Sequence, residues 1–138
     1  MKDVAYFNNL GADHLPGHLG IFITEVKVGE VRAEMTARKS LMAPNGYLHA
    51  GSVISLADTL CGYGCVASLP KGAKGFTTIE IKSNHMSTVK DGVVACVAKA
   101  VHLGRSTQVW DATVTQKETG KVLCLFRCTQ MILSKIVR

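Results

Sequence analysis

Hydrophobic and polar positions alternate one by one over "GIFITEVKV" (residues 20–28) and again over "EVRAEMTAR" (residues 30–38), with Gly29 between the two runs. A period of two marks strands with one buried face, so the pair predicts a β-hairpin. Ahead of it, the first dozen residues predict a short helix in an N-terminal extension, residues 1–16, which ends at the Pro16-Gly17 break. Behind it, "SLMAPNGYL" (residues 40–48) carries the turn chemistry of Pro44 and Asn45-Gly46 and predicts a loop. From about His49 to Leu69 the alternation gives way to a long run of apolar and small residues. It predicts the one long central helix, closed by the proline and glycines of "PKGAKG". Four strand-like runs follow, "FTTIEIKSNHM", "VVACVAKAVHL", "STQVWDATVTQ" and "VLCLFRCTQMIL". Their connections, "STVKDG", "GR" and "KETGK", are short enough for antiparallel neighbours. Two strands, one long helix and four more strands predict an α+β domain whose sheet buries one face on the helix. No linker, repeat or low-complexity segment divides the chain, so residues 1–138 read as a single domain.

Composition narrows the class. A chain of 138 residues with 47% hydrophobic content can build a substantial core. It contains no 18-residue apolar span free of charges or glycine, and "MKDVAYFNNLGADHL" lacks the apolar segment of a secretory signal. The expectation is a cytoplasmic protein without a membrane partner. The five cysteines, Cys61, Cys65, Cys96, Cys124 and Cys128, are odd in number and show no CxxC spacing, so they read as reduced packing thiols. Cys61 and Cys65 can share a helix face, but two thiolates do not complete a zinc site. Cys124 and Cys128 on a strand stand about 13 Å apart, too far to grip one ion. No metal is expected. The net charge of +6 favours an anionic partner: nucleic acid, an acidic membrane surface or a phosphorylated small molecule. Scattered basic residues and 6% aromatic content are poor material for base stacking, which argues against nucleic acid.

One carboxylate stands out against this background. Asp58 lies more than two turns into the predicted helix, among Val53, Ile54, Leu56, Ala57 and Leu60. A buried unpaired carboxylate is costly, so the group must meet solvent, a partner or a ligand. The plainer alternative places it on an exposed stripe with Ser52, Ser55 and Thr59. Its nearest chemical companion is His49, nine residues earlier at the helix start, and at 1.5 Å per residue the two are about 13 Å apart. One copy of each on the same helix cannot act on the same carbonyl. They converge only if two chains pair with antiparallel helices. The helix start brings free N–H groups and the positive end of the dipole, which suit a developing oxyanion. Ala50 N–H is the candidate donor, backed by Gly51, while Gly46 and Gly51 leave room for a carbonyl. His49 alone also fits a packing histidine.

"NGYLHAGSVISLADT" resembles the HGG-type helix start of the hotdog-fold acyl-CoA thioesterases of the phenylacetyl-CoA thioesterase (PaaI) type, in which an Asp or Glu stands nine residues after the His. The likeness continues through "TIEIKSNHMSTVKDG", "VHLGRSTQVWDATV" and "CTQMIL". That half is similar to the branch holding the 1,4-dihydroxy-2-naphthoyl-CoA hydrolases and the enterobactin-pathway proofreading thioesterases. The resemblance implies a hotdog fold, an antiparallel sheet wrapped around one long helix. It also implies hydrolysis of an aryl- or acyl-CoA thioester in a homodimer or homotetramer, with coenzyme A as part of the substrate and no separate cofactor. Asp58 then matches the general base or nucleophile, Ala50 N–H the donor that polarises the carbonyl, His49 the motif histidine, and Thr78 a position beside the catalytic water. Asp58 comes from one subunit and His49 with Ala50 from another, in agreement with the distance above.

The chain departs from that pattern. The motif reads HAG, not HGG. Ala43 stands where an Asn or Gln donor is frequent, leaving Asn45 as its possible substitute, and Gly62 stands where relatives carry a hydroxyl. The loop "HLGRST" places His102, Gly104, Arg105 and Ser106 where phosphate oxygens could be held, or it is an ordinary hairpin turn. In relatives this loop and the region of Asn84 and His85 meet the nucleotide of CoA. Met42, Leu48 and Tyr63 are candidates to line the acyl pocket. Two other activities keep the same residues: a hotdog enoyl-CoA hydratase or dehydratase, and a non-catalytic acyl-CoA-binding or regulatory protein.

Overall fold

The computed structural model describes residues 2–134. Six strands form one antiparallel sheet: β1 (Phe22–Lys27), β2 (Glu30–Thr36), β3 (Gly75–His85), β4 (Val93–Leu103), β5 (Thr107–Gln116) and β6 (Val122–Leu133), in the order β1-β2-β4-β5-β6-β3. Three α-helices accompany them: α1 (Val4–Gly11), α2 (Leu15–Leu19) and the 18-residue α3 (Ala50–Ala67). α3 touches all six strands, so the sheet curls around it and the hotdog arrangement holds. By length and hydropathy α3 could cross a membrane, but it is the core helix here. Its Leu56, Ala57, Leu60 and Cys61 are fully buried against Val94, Ala98, Trp110 and Val114 of the sheet. All five cysteines are buried and unbridged.

Two expectations are corrected. The N-terminal segment holds two helices, because Pro16 falls in the first turn of α2, where its missing N–H costs nothing. Gly20, at φ 73°, ends that helix in the left-handed conformation. α1 is part of the core: Asp3 caps it through Tyr6 N–H, and buried Phe7 packs on Tyr63 with ring centroids 4.8 Å apart. Asn8 brackets the bulge in edge strand β1, its side chain exchanging two hydrogen bonds with the backbone of Ile23 at 2.8 and 3.0 Å. The second correction concerns β3 and β4, which are not neighbours despite their short connection. β3 pairs with β6 at the sheet edge, and β4 with β2 and β5. The connection crosses the curled sheet at the start of α3, where Leu48 N–H donates to Val89 O and Thr88 Oγ1 donates to Leu48 O. A curled sheet brings strands that are distant in order within reach of six residues, which extend about 20 Å.

Candidate active site

The site is built around α3. His49 is its N-cap, in extended conformation (φ −64°, ψ 136°), and its Nδ1 accepts the Gly51 N–H at 2.7 Å. The proton on the neutral ring is therefore on Nε2, which points away from the cap. Gly51 is needed for this: a Cβ there would lie 2.9 Å from His49 Nδ1. The cap consumes the Gly51 N–H, so the backing donor named from sequence is already engaged. The N–H groups of Ser52 and Val53 both reach His49 O. Among the described residues, Ala50 N–H has no acceptor, and Ala50 is exposed. It is the one free donor of the first turn, at the positive end of an 18-residue helix.

The loop before the cap is a small hairpin. Met42 bridges Leu48, Ala43 N–H donates to Tyr47 O, and Gly46 N–H donates to Ala43 O with Gly46 at φ 88°. Asn45 Oδ1 accepts the Tyr47 N–H at 3.1 Å, which holds its carbonyl oxygen in the turn and leaves the amide NH2 for another partner. Arg38, Lys39 and Lys90 surround a hollow of about 530 Å³ beside Ala43 and Gly46.

Asp58 lies half-buried on a stripe of α3 with half-buried Ser55 and buried Gly62, one turn from each, and Gly62 backs onto the Phe76 ring of β3. The stripe therefore faces the β3 edge of the sheet. Asp58 Oδ1 is buried without a hydrogen-bond partner, and burial raises the carboxyl above its ordinary range. The fully exposed alternative is thus set aside. Thr78 is exposed on β3 opposite Gln130. Because α3 is continuous from Ala50 to Ala67, the nine-residue separation of His49 and Asp58 stands at about 13 Å.

The CoA-binding candidates divide in the same way. Asn84 and His85 lie on β3 opposite Leu125 and Cys124, at the end where the connection to β4 meets Leu48. His85 Nε2 contacts Ser83 Oγ at 3.1 Å. At the other end of β6, Ile132 N–H donates to Ser106 O. Seven residues of strand separate Leu125 from Ile132, about 23 Å. His102 and Gly104 shape this turn: a Cβ at Gly104 would lie 2.5 Å from His102 Nε2, and the Gly104 N–H is spent on Thr107 O. Arg105 and Ser106 remain exposed and share a hollow of about 320 Å³ with Lys71. One end of the chain thus holds His49, Ala50, Asn84 and His85, and the other holds Arg105 and Ser106. Of the pocket candidates, Leu48 is core and Tyr63 packs on α1, about 140° around α3 from Asp58.

Residues 45–123 match the family model described as thioesterase superfamily. The chain belongs to the thioesterase superfamily. Among its relatives, the 1,4-dihydroxy-2-naphthoyl-CoA hydrolase of Listeria monocytogenes is 35% identical over 85% of this chain and 94% of its own. The proofreading thioesterase EntH of Klebsiella pneumoniae is 30% identical over 94% and 93%. A solved structure, a mutant of thioesterase PA1618 from Pseudomonas aeruginosa, superposes with a TM-score of 0.89 at 28% identity, covering 95% of this chain and 94% of that one. The family match of this thioesterase spans the whole of α3 and strands β3 to β5.

Sequence reasoning passed over Lys71, Arg38 and Lys90 as parts of basic hollows, and it passed over Gln130. Gln130 is fully buried, and its Oε1 has no partner. Its signal was legible: it occupies the inward phase of β6 that Cys124, Phe126 and Cys128 fill with apolar or weakly polar groups.

Proposed function

We propose that this thioesterase is a homo-oligomeric acyl-CoA thioesterase that hydrolyses an aryl- or acyl-CoA to the free acid and CoA. The observation that carries the reading is the pair of unmet groups on α3. Among the described residues Ala50 N–H is a donor without an acceptor, and Asp58 is a half-buried carboxylate without a donor, about 12 Å apart along one helix. A second copy with its α3 antiparallel supplies the missing member to each. The 11-residue β3 offers the contact, since its outer edge is unpaired and Ile79 and Ile81 are 55% and 46% exposed. An exposed edge of that length is a template for pairing with another strand. Stacking of two such dimers gives the homotetramer. The five unbridged cysteines fit a reducing, cytoplasmic setting.

In this reading the thioester carbonyl points at Ala50 N–H of one chain. Asp58 of the other removes a proton from water as its oxygen forms a bond to the carbonyl carbon. The negative charge that develops on the carbonyl oxygen is held by Ala50 N–H and the helix dipole. As the oxyanion collapses the C–S bond breaks, and the CoA thiolate takes the proton from Asp58. A carboxyl held above its ordinary range is the stronger base for this step. In the same reading Thr78 orients the water, and the imidazole of His49 keeps the first turn in register. Direct attack by Asp58 through an anhydride uses the same geometry. Arg105, Ser106, His102, Asn84 and His85, with the net charge of +6, favour the phosphates of CoA. Water is the co-substrate and no separate cofactor takes part.

Ala43 favours a second reading, an acyl-CoA-binding protein without turnover, because the position offers no side-chain donor. Thiol release from a panel of aromatic and aliphatic acyl-CoAs separates the two. Hydrolysis by the wild type that Asp58→Asn reduces by about 10²–10⁴-fold supports the thioesterase reading. Tight binding without release across the panel supports the other.

A further inference from the structure

Among the described residues two buried side-chain polar atoms lack a hydrogen-bond partner: Asp58 Oδ1 and Gln130 Oε1. The first belongs to the chemistry already described, and the second does not. Buried amides are ordinarily satisfied, and Gln108, the neighbour of Gln130 across β5 and β6, shows how. Its Nε2 donates to Ser68 O at 2.9 Å and its Oε1 accepts Trp110 Nε1–H at 2.8 Å. Gln130 is just as buried, yet its Nε2 reaches only Cys128 Sγ at 3.5 Å and its Oε1 meets nothing.

The placement of Gln130 connects it to the site. On β3 its direct partner is Thr78, exposed on the same face of the sheet. Cys61, one turn beyond Asp58 on α3, packs in the same core as Cys128. Gly62, one turn beyond Asp58 on α3, is covered by the half-buried Phe76 ring of β3; a Cβ there would be 3.1 Å from Phe76 Cζ. An acyl group that passes Thr78 on β3 comes to the position opposite which Gln130 stands on β6.

We propose that Gln130 is a specificity-determining residue: its Oε1 accepts a hydrogen bond from a hydroxyl or N–H group carried by the acyl moiety, at the β6 position opposite Thr78. This rests on the thioesterase reading for the position of the acyl group, but not for its outcome. A site with a buried acceptor discriminates against a ligand that leaves it unpaired.

The test uses inert thioether analogues, so that binding is read without turnover. Dissociation constants are measured by calorimetry for phenacyl-CoA, its 2-, 3- and 4-hydroxy derivatives and the corresponding methoxy derivatives. The wild type is expected to bind at least one hydroxyphenacyl-CoA about tenfold or more tighter than phenacyl-CoA, and its methoxy counterpart no tighter. Gln130→Met, near-isosteric and without an acceptor, is expected to lose that preference while phenacyl-CoA affinity changes by less than about twofold. Gln130→Glu, which retains an acceptor, keeps it. Equal affinity of the wild type for all derivatives overturns the proposal without any variant, as does a hydroxyl preference that survives in Gln130→Met. Should both variants fail to fold, the hydroxy and methoxy series on the wild type decides. A hydroxyl preference in binding, together with no hydrolysis of the matching thioesters, overturns the thioesterase reading and leaves the role of Gln130 standing.

Discussion

A mixture of two inactive variants should regain activity. Asp58→Asn removes the base and keeps the side-chain shape. Ala50→Pro removes one N–H and little else. Ala50 is the first residue of α3, where proline is tolerated, and His49 already has the extended backbone (φ −64°, ψ 136°) that a following proline requires. No bond within the chain is lost, because the Ala50 N–H has no acceptor among the described residues. Each variant alone should lose activity: about 10²–10⁴-fold for the base and about 10²–10³-fold for a single oxyanion donor. With about 12 Å between the two groups on one rigid helix, every site draws them from different chains. A heterodimer then has one site carrying both lesions and one carrying neither. Purified from differently tagged chains, it should show about half of wild-type thiol release per dimer, and an unfractionated one-to-one mixture about a quarter. The assay is release of free CoA thiol, with mass spectrometry to establish that heterodimers are present. Heterodimers no more active than their parents would refute the shared site and, with it, the antiparallel arrangement of α3.

Other consequences concern stability. Asp58→Asn should raise thermal stability at pH 7 by about 1 kcal/mol, or roughly 3 °C, the lower end of the cost of an unsatisfied buried group because the residue is only half-buried. The sign follows from the raised carboxyl: above its folded pKa the charge is present in both states and burial opposes folding in full. As pH falls through that value toward about 3.9, the folded state takes up the proton first. Melting curves of the two proteins should therefore converge in acid, and a constant gap from pH 7 to pH 3 would contradict this cause. Gly64→Ala should lower stability by about 1–2 kcal/mol in denaturant titration. Its Cβ would fall 2.6 Å from Cζ3 of fully buried Trp110, and overpacking outweighs the gain in helix propensity. An unchanged midpoint would mean that Trp110 yields without cost.

The elements most legible in the sequence were those in which local pattern and burial agree. α3 runs from Ala50 to Ala67 against an expectation of His49 to Leu69, and the four C-terminal strands begin and end within about a residue of their alternating runs. Strand order was not legible, because β3 and β4 are joined by a short connection and yet are separated by β5 and β6. Connection length reports distance through space, and a curled sheet shortens that distance in a way no local pattern encodes. At the site, the charges and the capping position could be read from residue types, including Asp58 in an apolar helix. What could not be read was which donors were already in use. The imidazole of His49 takes the Gly51 N–H, and Asn45 Oδ1 takes that of Tyr47, both within two residues and both dependent on a rotamer.

α3 is a poor helix by composition and a well-held one by packing, and the reason bears on the site. Three of its 18 residues are glycine, each costing about 1 kcal/mol of helix propensity relative to alanine. Each lies under a ring: Gly51 under His49, Gly62 under Phe76 and Gly64 under Trp110. With side chains there, the imidazole could not cap the first turn, and the two aromatic rings could not sit flush on the helix. Close approach at Gly64 is structural, since Trp110 fills the center of the core. At Gly51 and Gly62 it flanks Asp58 by about two turns on one side and one turn on the other. The helix thus gives up propensity where a ring must approach, and it leaves Ala50 N–H next to the cap and Asp58 Oδ1 about two turns further along unmet. Groups left unsatisfied inside an otherwise fully packed element are the mark of a surface completed by something outside the chain.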